Sequence, residues 1–81
     1  MKYVLFVKDG CPYCVMAREQ LQDNGLDYSE VNFEPSQEQV LNEIKKIYEW
    51  GTVPMIFEKD KKGNSKFIGG YTDLVKYLKN E

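Results

Sequence analysis

Cys11 and Cys14 are the only thiols of the chain, and only Pro12 and Tyr13 separate them. Two thiols at this spacing bind a metal, staple the fold, or exchange electrons with another molecule. Structural zinc wants four Cys or His ligands. Here there are two cysteines and no histidine, so carboxylates or a second subunit would have to complete a site, and no metal is expected. The missing histidine also removes c-type haem attachment. As a staple, so short a loop removes only about 2 kcal/mol of denatured-chain entropy before strain is subtracted, and longer loops yield more. Redox exchange fits best.

Pro12 suits the first turn of a helix, so Cys11 falls at its N-cap region and Cys14 one turn inside. Unsatisfied amides and the positive end of the dipole then favour a thiolate at Cys11. Lys8, three residues earlier, adds positive charge, and Cys14 is the more enclosed thiol, placed to attack a mixed disulfide formed at Cys11. Lowering a thiol pKa from about 8.5 to about 5 raises the thiolate fraction at neutral pH roughly 30-fold. Intrinsic nucleophilicity falls by a similar factor. The gain lies elsewhere: Cys11 becomes a better leaving group and the reduced state is stabilised.

The elements that must position these thiols follow in order. "KYVLFV" (2–7) is a continuous apolar run, as in a strand buried on both faces. A helix runs from Pro12 to about Asn24, with Val15, Met16 and Leu21 inward, and Asn24-Gly25 stops it. "DYSEVNF" (27–33) alternates Ser29, Val31 and Phe33 as a half-buried strand. Ser36 and Gln39 suggest a capping box for a helix to about Trp50, striped by Val40, Leu41, Ile44, Ile47 and Tyr48 and ended by Gly51. A strand begins at Pro54, "DKKGN" turns into "SKFIG", and Tyr71 to Leu78 form a last helix with Leu74, Val75 and Leu78 inward. The order βαβ, α, ββα makes the first strand pair parallel and the closing hairpin antiparallel.

The 81 residues support one α/β domain, 1–81, with a modest core. A net charge of −2 leaves no electrostatic footprint for nucleic acid or an anionic membrane. Lys59, Lys61 and Lys62 belong to a solvated turn. The apolar run at the N-terminus stops at strand length, short of a signal peptide, and nothing approaches the roughly 20 apolar residues of a membrane span. A cytoplasmic location is therefore expected, where a cysteine pair is more often catalytic or metal-binding than structural.

"CPYC" after a first strand, "TVP" before a third, and "GGYTDL" opening the last helix together resemble the dithiol glutaredoxins, in order along the whole chain. The resemblance implies a thioredoxin-like fold, βαβαββα, a four-stranded mixed sheet flanked by three helices. It implies that Cys11 is the nucleophile that takes up glutathione and Cys14 the resolving thiol. Tyr13 would line the thiol mouth, its alternative being an exposed aromatic filling a turn. Within Thr52-Val53-Pro54 the proline should be cis, with the Val53 backbone pairing with the cysteine of glutathione like an added strand. Gly69-Gly70 is either a plain turn or a close backbone approach to ligand, next to Tyr71. Thr72 and Asp73 would offer backbone amides to the γ-glutamyl carboxylate, and Asp73 would pair with its ammonium; an ordinary N-cap is compatible with both. Lys8 would hold the glycine carboxylate. Several glutaredoxins carry a further basic or amide residue before "TVP". Here "YEWGTVP" has Trp50 and Gly51 instead, which leaves either Lys45 or Lys46 as a second contact or a carboxylate held less tightly, and favours Trp50 as packing between helix and sheet.

The function so implied is a glutathione-dependent thiol–disulfide oxidoreductase acting as a monomer on glutathionylated or disulfide-containing proteins, ribonucleotide reductase among them, with glutathione as co-substrate. Two alternatives stand beside it. One is a redoxin recharged by thioredoxin reductase and feeding ribonucleotide reductase. The other is a dimer bridging a [2Fe–2S] cluster through Cys11 and glutathione, against which Pro12 and the second cysteine argue.

Overall fold

The structure, a computed structural model, describes residues 2–79. It contains β1 (Lys2–Val7), α1 (Pro12–Asp23), β2 (Tyr28–Asn32), a 3-10 turn (Pro35–Gln37), α2 (Glu38–Ile47), β3 (Met55–Lys59), β4 (Ser65–Gly69) and α3 (Tyr71–Lys79). The four strands form one sheet in the order β2-β1-β3-β4. β1 pairs parallel with β2, antiparallel with β3, and β3 pairs antiparallel with β4, as the expected mixed sheet requires.

β1 is central and buries both faces, which explains its unbroken apolar run. Tyr3, Leu5 and Val7 face a core with Cys14, Ala17 and Leu21 of α1, Ile56 of β3 and Leu74 of α3. Val4 and Phe6 face the second core, of Phe33, Leu41, Met55 and Phe57. Two helices therefore cover one face of the sheet, and α2 alone covers the other. Glu58 of β3 is buried, its carboxylate accepting the Tyr3 hydroxyl at 2.9 Å and the Tyr77 hydroxyl at 2.8 Å. This polar clamp ties α3 to the sheet.

Three expectations need correction. In α1 the inward residues are Cys14, Ala17 and Leu21, while Val15 and Met16 are exposed at 46% and 40%. Against a flat sheet the small Ala17 sets the contact line, and Val15 and Met16 fall to either side of it. Val31, expected half-buried, is exposed at 43% on β2, which is an edge strand. The capping box lies not at Ser36/Gln39 but two residues earlier: the Gln37 side chain accepts the Glu34 N–H at 3.0 Å, because Pro35 already opens the turn.

α2 is also shorter than its apolar stripe suggested. Of that stripe only Leu41 is fully buried, and Val40, Ile47 and Tyr48 are exposed. The helix ends at Ile47 rather than Trp50, and Glu49, not Gly51, takes the left-handed conformation with φ 52°. The Trp50 N–H returns to the Lys45 carbonyl at 2.8 Å and that of Glu49 to Lys46 at 3.2 Å, a Schellman closure. A left-handed glutamate carries a steric cost that glycine avoids. Glu49→Gly is therefore expected to stabilise the chain by about 0.5–1 kcal/mol, read as a higher chemical-denaturation midpoint at unchanged slope.

Candidate active site

Pro12 opens α1 as expected, and Cys11 is its N-cap with extended backbone. The Cys14 N–H donates to Cys11 Sγ at 3.2 Å. One of the orphan amides of the helix start thus points at this sulfur, where it stabilises negative charge. Cys11 and Cys14 are joined in a disulfide, with 5.2 Å between their Cα atoms. Cys14 is 2% exposed and sits in the core, whereas Cys11 is only partly buried. The Val53 carbonyl oxygen lies 3.8 Å from Cys11 Sγ, and the Val53–Pro54 bond is cis, as expected.

Beside this sulfur runs a groove of about 290 Å³, lined by Tyr13, Trp50, Thr52, Val53, Pro54, Gly70, Tyr71, Thr72 and Asp73. Three segments far apart in sequence meet there: the start of α1, the approach to β3 and the start of α3. All the residues singled out in "TVP" and "GYTD" line it together with Tyr13. Tyr13 is exposed, and its ring lies 6.2 Å from that of Tyr71, forming one wall. Asp73 accepts the Gly70 N–H at 3.0 Å through Oδ2. This is half of a capping box, the N-cap side chain being absent because the cap is glycine. Among the groove's residues Asp73 alone is charged at neutral pH.

Lys8 is not part of this groove. It lines a neighbouring recess with Asp9, Phe33, Pro35 and Glu38, and its ammonium is 2.8 Å from Glu38 Oε2. The hydrogen bond from Lys8 holds the Glu38 carboxyl below its ordinary 4.5. The ion pair therefore contributes above that ordinary value and is lost as pH falls through the lowered one. Lys45 and Lys46, the other suggested cations, close the end of α2 with their carbonyls and line none of the hollows described here. A larger hollow, about 450 Å³, lies on the opposite face of the sheet over Phe57. It carries neither thiol nor carboxylate, whereas the groove runs beside Cys11 and holds the Asp73 carboxylate.

Two residues gain importance from the structure. Trp50 packs edge-to-face on Phe67 with centroids 5.3 Å apart, as expected of a packing residue, yet it also forms a wall of the groove. Its position two residues before "TVP" was the available signal. Glu38 was invisible, since nothing local couples it to a lysine 30 residues away. Among the described residues there is no cluster of three or more His, Cys, Asp or Glu able to hold a metal ion.

Comparison with known proteins points the same way. The glutaredoxin family model matches residues 3–62. Glutaredoxin 1 of Escherichia coli is 32% identical over 87 residues, spanning 98% of this chain and 94% of that protein. That alignment takes in α3, which lies beyond the family-model match. The solution structure of a dithiolic glutaredoxin from Trypanosoma brucei brucei superposes with a TM-score of 0.76 at 36% identity, covering 96% of this chain and 77% of that one. A hybrid peroxiredoxin of Haemophilus influenzae is 33% identical over 74 residues, but this chain spans only 28% of its length.

Proposed function

Because the chain belongs to the glutaredoxin family of thiol–disulfide oxidoreductases, we propose that glutathione is its reductant and glutathione mixed disulfides its substrates. The observation that carries this reading is the placement of Cys11 Sγ. It has an α1 amide donated to it at 3.2 Å and the Val53 carbonyl 3.8 Å away, at the end of a groove that closes on the α3 N-terminus.

In the proposed cycle the Cys11 thiolate attacks the glutathionyl sulfur of a mixed disulfide. The Cys11–glutathione bond forms, the old disulfide breaks, and the protein thiolate leaves and takes up a proton from water. A second glutathione thiolate then attacks the bound glutathionyl sulfur, releasing oxidised glutathione and regenerating Cys11. For a protein disulfide, Cys11 attacks one sulfur and Cys14 then attacks Cys11. The reduced partner leaves with both thiols, and the Cys11–Cys14 disulfide remains for two glutathiones to reduce. The helix start favours the thiolate and makes Cys11 a good leaving group in each step.

The bound tripeptide lies along the groove. The Val53 backbone pairs with its cysteine, the Thr72 and Asp73 amides take the γ-glutamyl carboxylate, and Asp73 takes the ammonium, between walls of Tyr13, Tyr71 and Pro54. Lys8 reaches the glycine carboxylate only by leaving Glu38. Both partners are a third or more exposed, and an ion pair screened by solvent in this way is weak, so the exchange is inexpensive. The hybrid peroxiredoxin that contains a similar segment supports a peroxiredoxin as one protein substrate.

The test is which reductant recharges the oxidised chain. With glutathione, glutathione reductase and NADPH, steady NADPH consumption is expected on a mixed disulfide of cysteine and glutathione. Reduction by thioredoxin reductase, with none by glutathione, overturns the reading in favour of a redoxin.

A further inference from the structure

Trp50 is the single tryptophan of the chain, and the cycle above makes no use of it. Its Nε1 is buried and, among the described residues, has no hydrogen-bond partner. Leaving a donor buried and unpaired costs about 1–3 kcal/mol, so native structures rarely keep one without a reason. The ring stands edge-to-face on Phe67, at 82° between planes. It also lines the groove, and its position there is known: a methyl group placed on Gly70 would stand 3.7 Å from Cζ2. Cζ2 and Nε1 are bonded to the same ring carbon, so the orphan N–H belongs to the edge that borders Gly70. The same point above Gly70 is 4.0 Å from Asp73 Oδ2.

The charge balance of the groove gives this edge a purpose. No cation lines it, and Lys8 is engaged by Glu38 in the next recess. A carboxylate entering here must be held by neutral N–H donors. The first-turn amides of α3 supply some, and the indole supplies one more.

We infer that Trp50 is a ligand-contact residue. Its Nε1–H donates to the α-carboxylate of the γ-glutamyl group, on the Gly70 side of the groove, while Asp73 receives the geminal ammonium. The nitrogen is screened from solvent in the free chain, so docking tips the indole about its Cβ–Cγ bond and supplies the missing acceptor. This deepens the proposed function and rests on glutathione being the groove's ligand.

The full chain, labelled with 15N and titrated with S-methylglutathione (which cannot exchange disulfides), tests it directly. One tryptophan gives one indole N–H signal. That signal is expected to move downfield on saturation together with the backbone amides of Val53, Thr72 and Asp73. In turnover of the cysteine–glutathione mixed disulfide, Trp50→Phe keeps an aromatic ring against Phe67 and removes the donor together with the fused-ring edge that carries Cζ2. Its KM is expected to rise roughly fivefold, the loss carried by KM rather than kcat. If the backbone amides shift while the indole signal stays in place, or if Trp50→Phe leaves KM unchanged, the inference falls and the glutathione reading stands. If no signal moves, the glutathione reading falls and takes the inference with it.

Discussion

Cys11→Ser is expected to bring turnover of a glutathione mixed disulfide down to background, a loss on the order of 10³-fold or more, as for other covalent nucleophiles. Cys14→Ser is expected to retain that turnover while losing reduction of protein disulfides. The asymmetry follows from exposure. Cys14 is 2% exposed and packs among Leu5, Ala17 and Leu21, so an incoming mixed disulfide cannot reach it. Cys11 stands partly open at the N-cap, with an amide donated to its sulfur. In the proposed cycle the second thiol is needed only when the bound partner has to be expelled from within. A coupled glutathione-reductase assay on both variants checks this, and persistent activity without Cys11 would refute the assigned roles.

Gly69→Ala carries the second large effect. Gly69 has φ +127°, a conformation L residues rarely adopt, and a Cβ there would lie 2.5 Å from Asp73 Oδ2 and 2.9 Å from Asp73 Cβ. The backbone strain alone costs about 1–3 kcal/mol. To make room Asp73 must swing away, breaking its hydrogen bond from the Gly70 N–H, a further cost of about 1 kcal/mol. A total near 3 kcal/mol lowers the Tm of a domain this size by roughly 10–20 °C. Because Asp73 is the groove's one charged side chain, KM for the glutathione mixed disulfide is expected to rise as well. The neighbour is the control. A Cβ on Gly70 meets Pro54 O and Trp50 Cζ2 at 3.7 Å, ordinary contact. Gly70→Ala should therefore lower Tm far less, by only the modest cost of alanine in place of glycine at an N-cap, while its added methyl fills the groove and raises KM. Equal melting temperatures for the two variants would contradict this geometry.

These two glycines mark the boundary of what a sequence reader sees. The pair was legible as a turn or a close approach, yet only the coordinates separate their roles. The order of elements and the parallel and antiparallel pairings were likewise legible, because β-branched runs, Pro12 and Asn24-Gly25 act locally. The partition of apolar residues was less so. Val15, Met16, Val40 and Ile47 have the helical spacing of core residues, but they lie outward. Hydrophobic period tells which stripe of a helix is apolar, not how much of that stripe a neighbouring sheet covers.

The chain by itself determined its chemistry. Two thiols astride Pro12 at a helix start are a local arrangement that folding cannot much alter, so Cys11 and Cys14 took their expected places. The tertiary structure decided what surrounds them. Lys8 meets Glu38, Trp50, Gly70 and Asp73 come to line one groove, and β2 is left at an edge. Each of these depends on segments far apart in the chain being brought together by sheet order and by a single helix covering one face. No periodicity or motif records such pairings, since they arise only when the layers close.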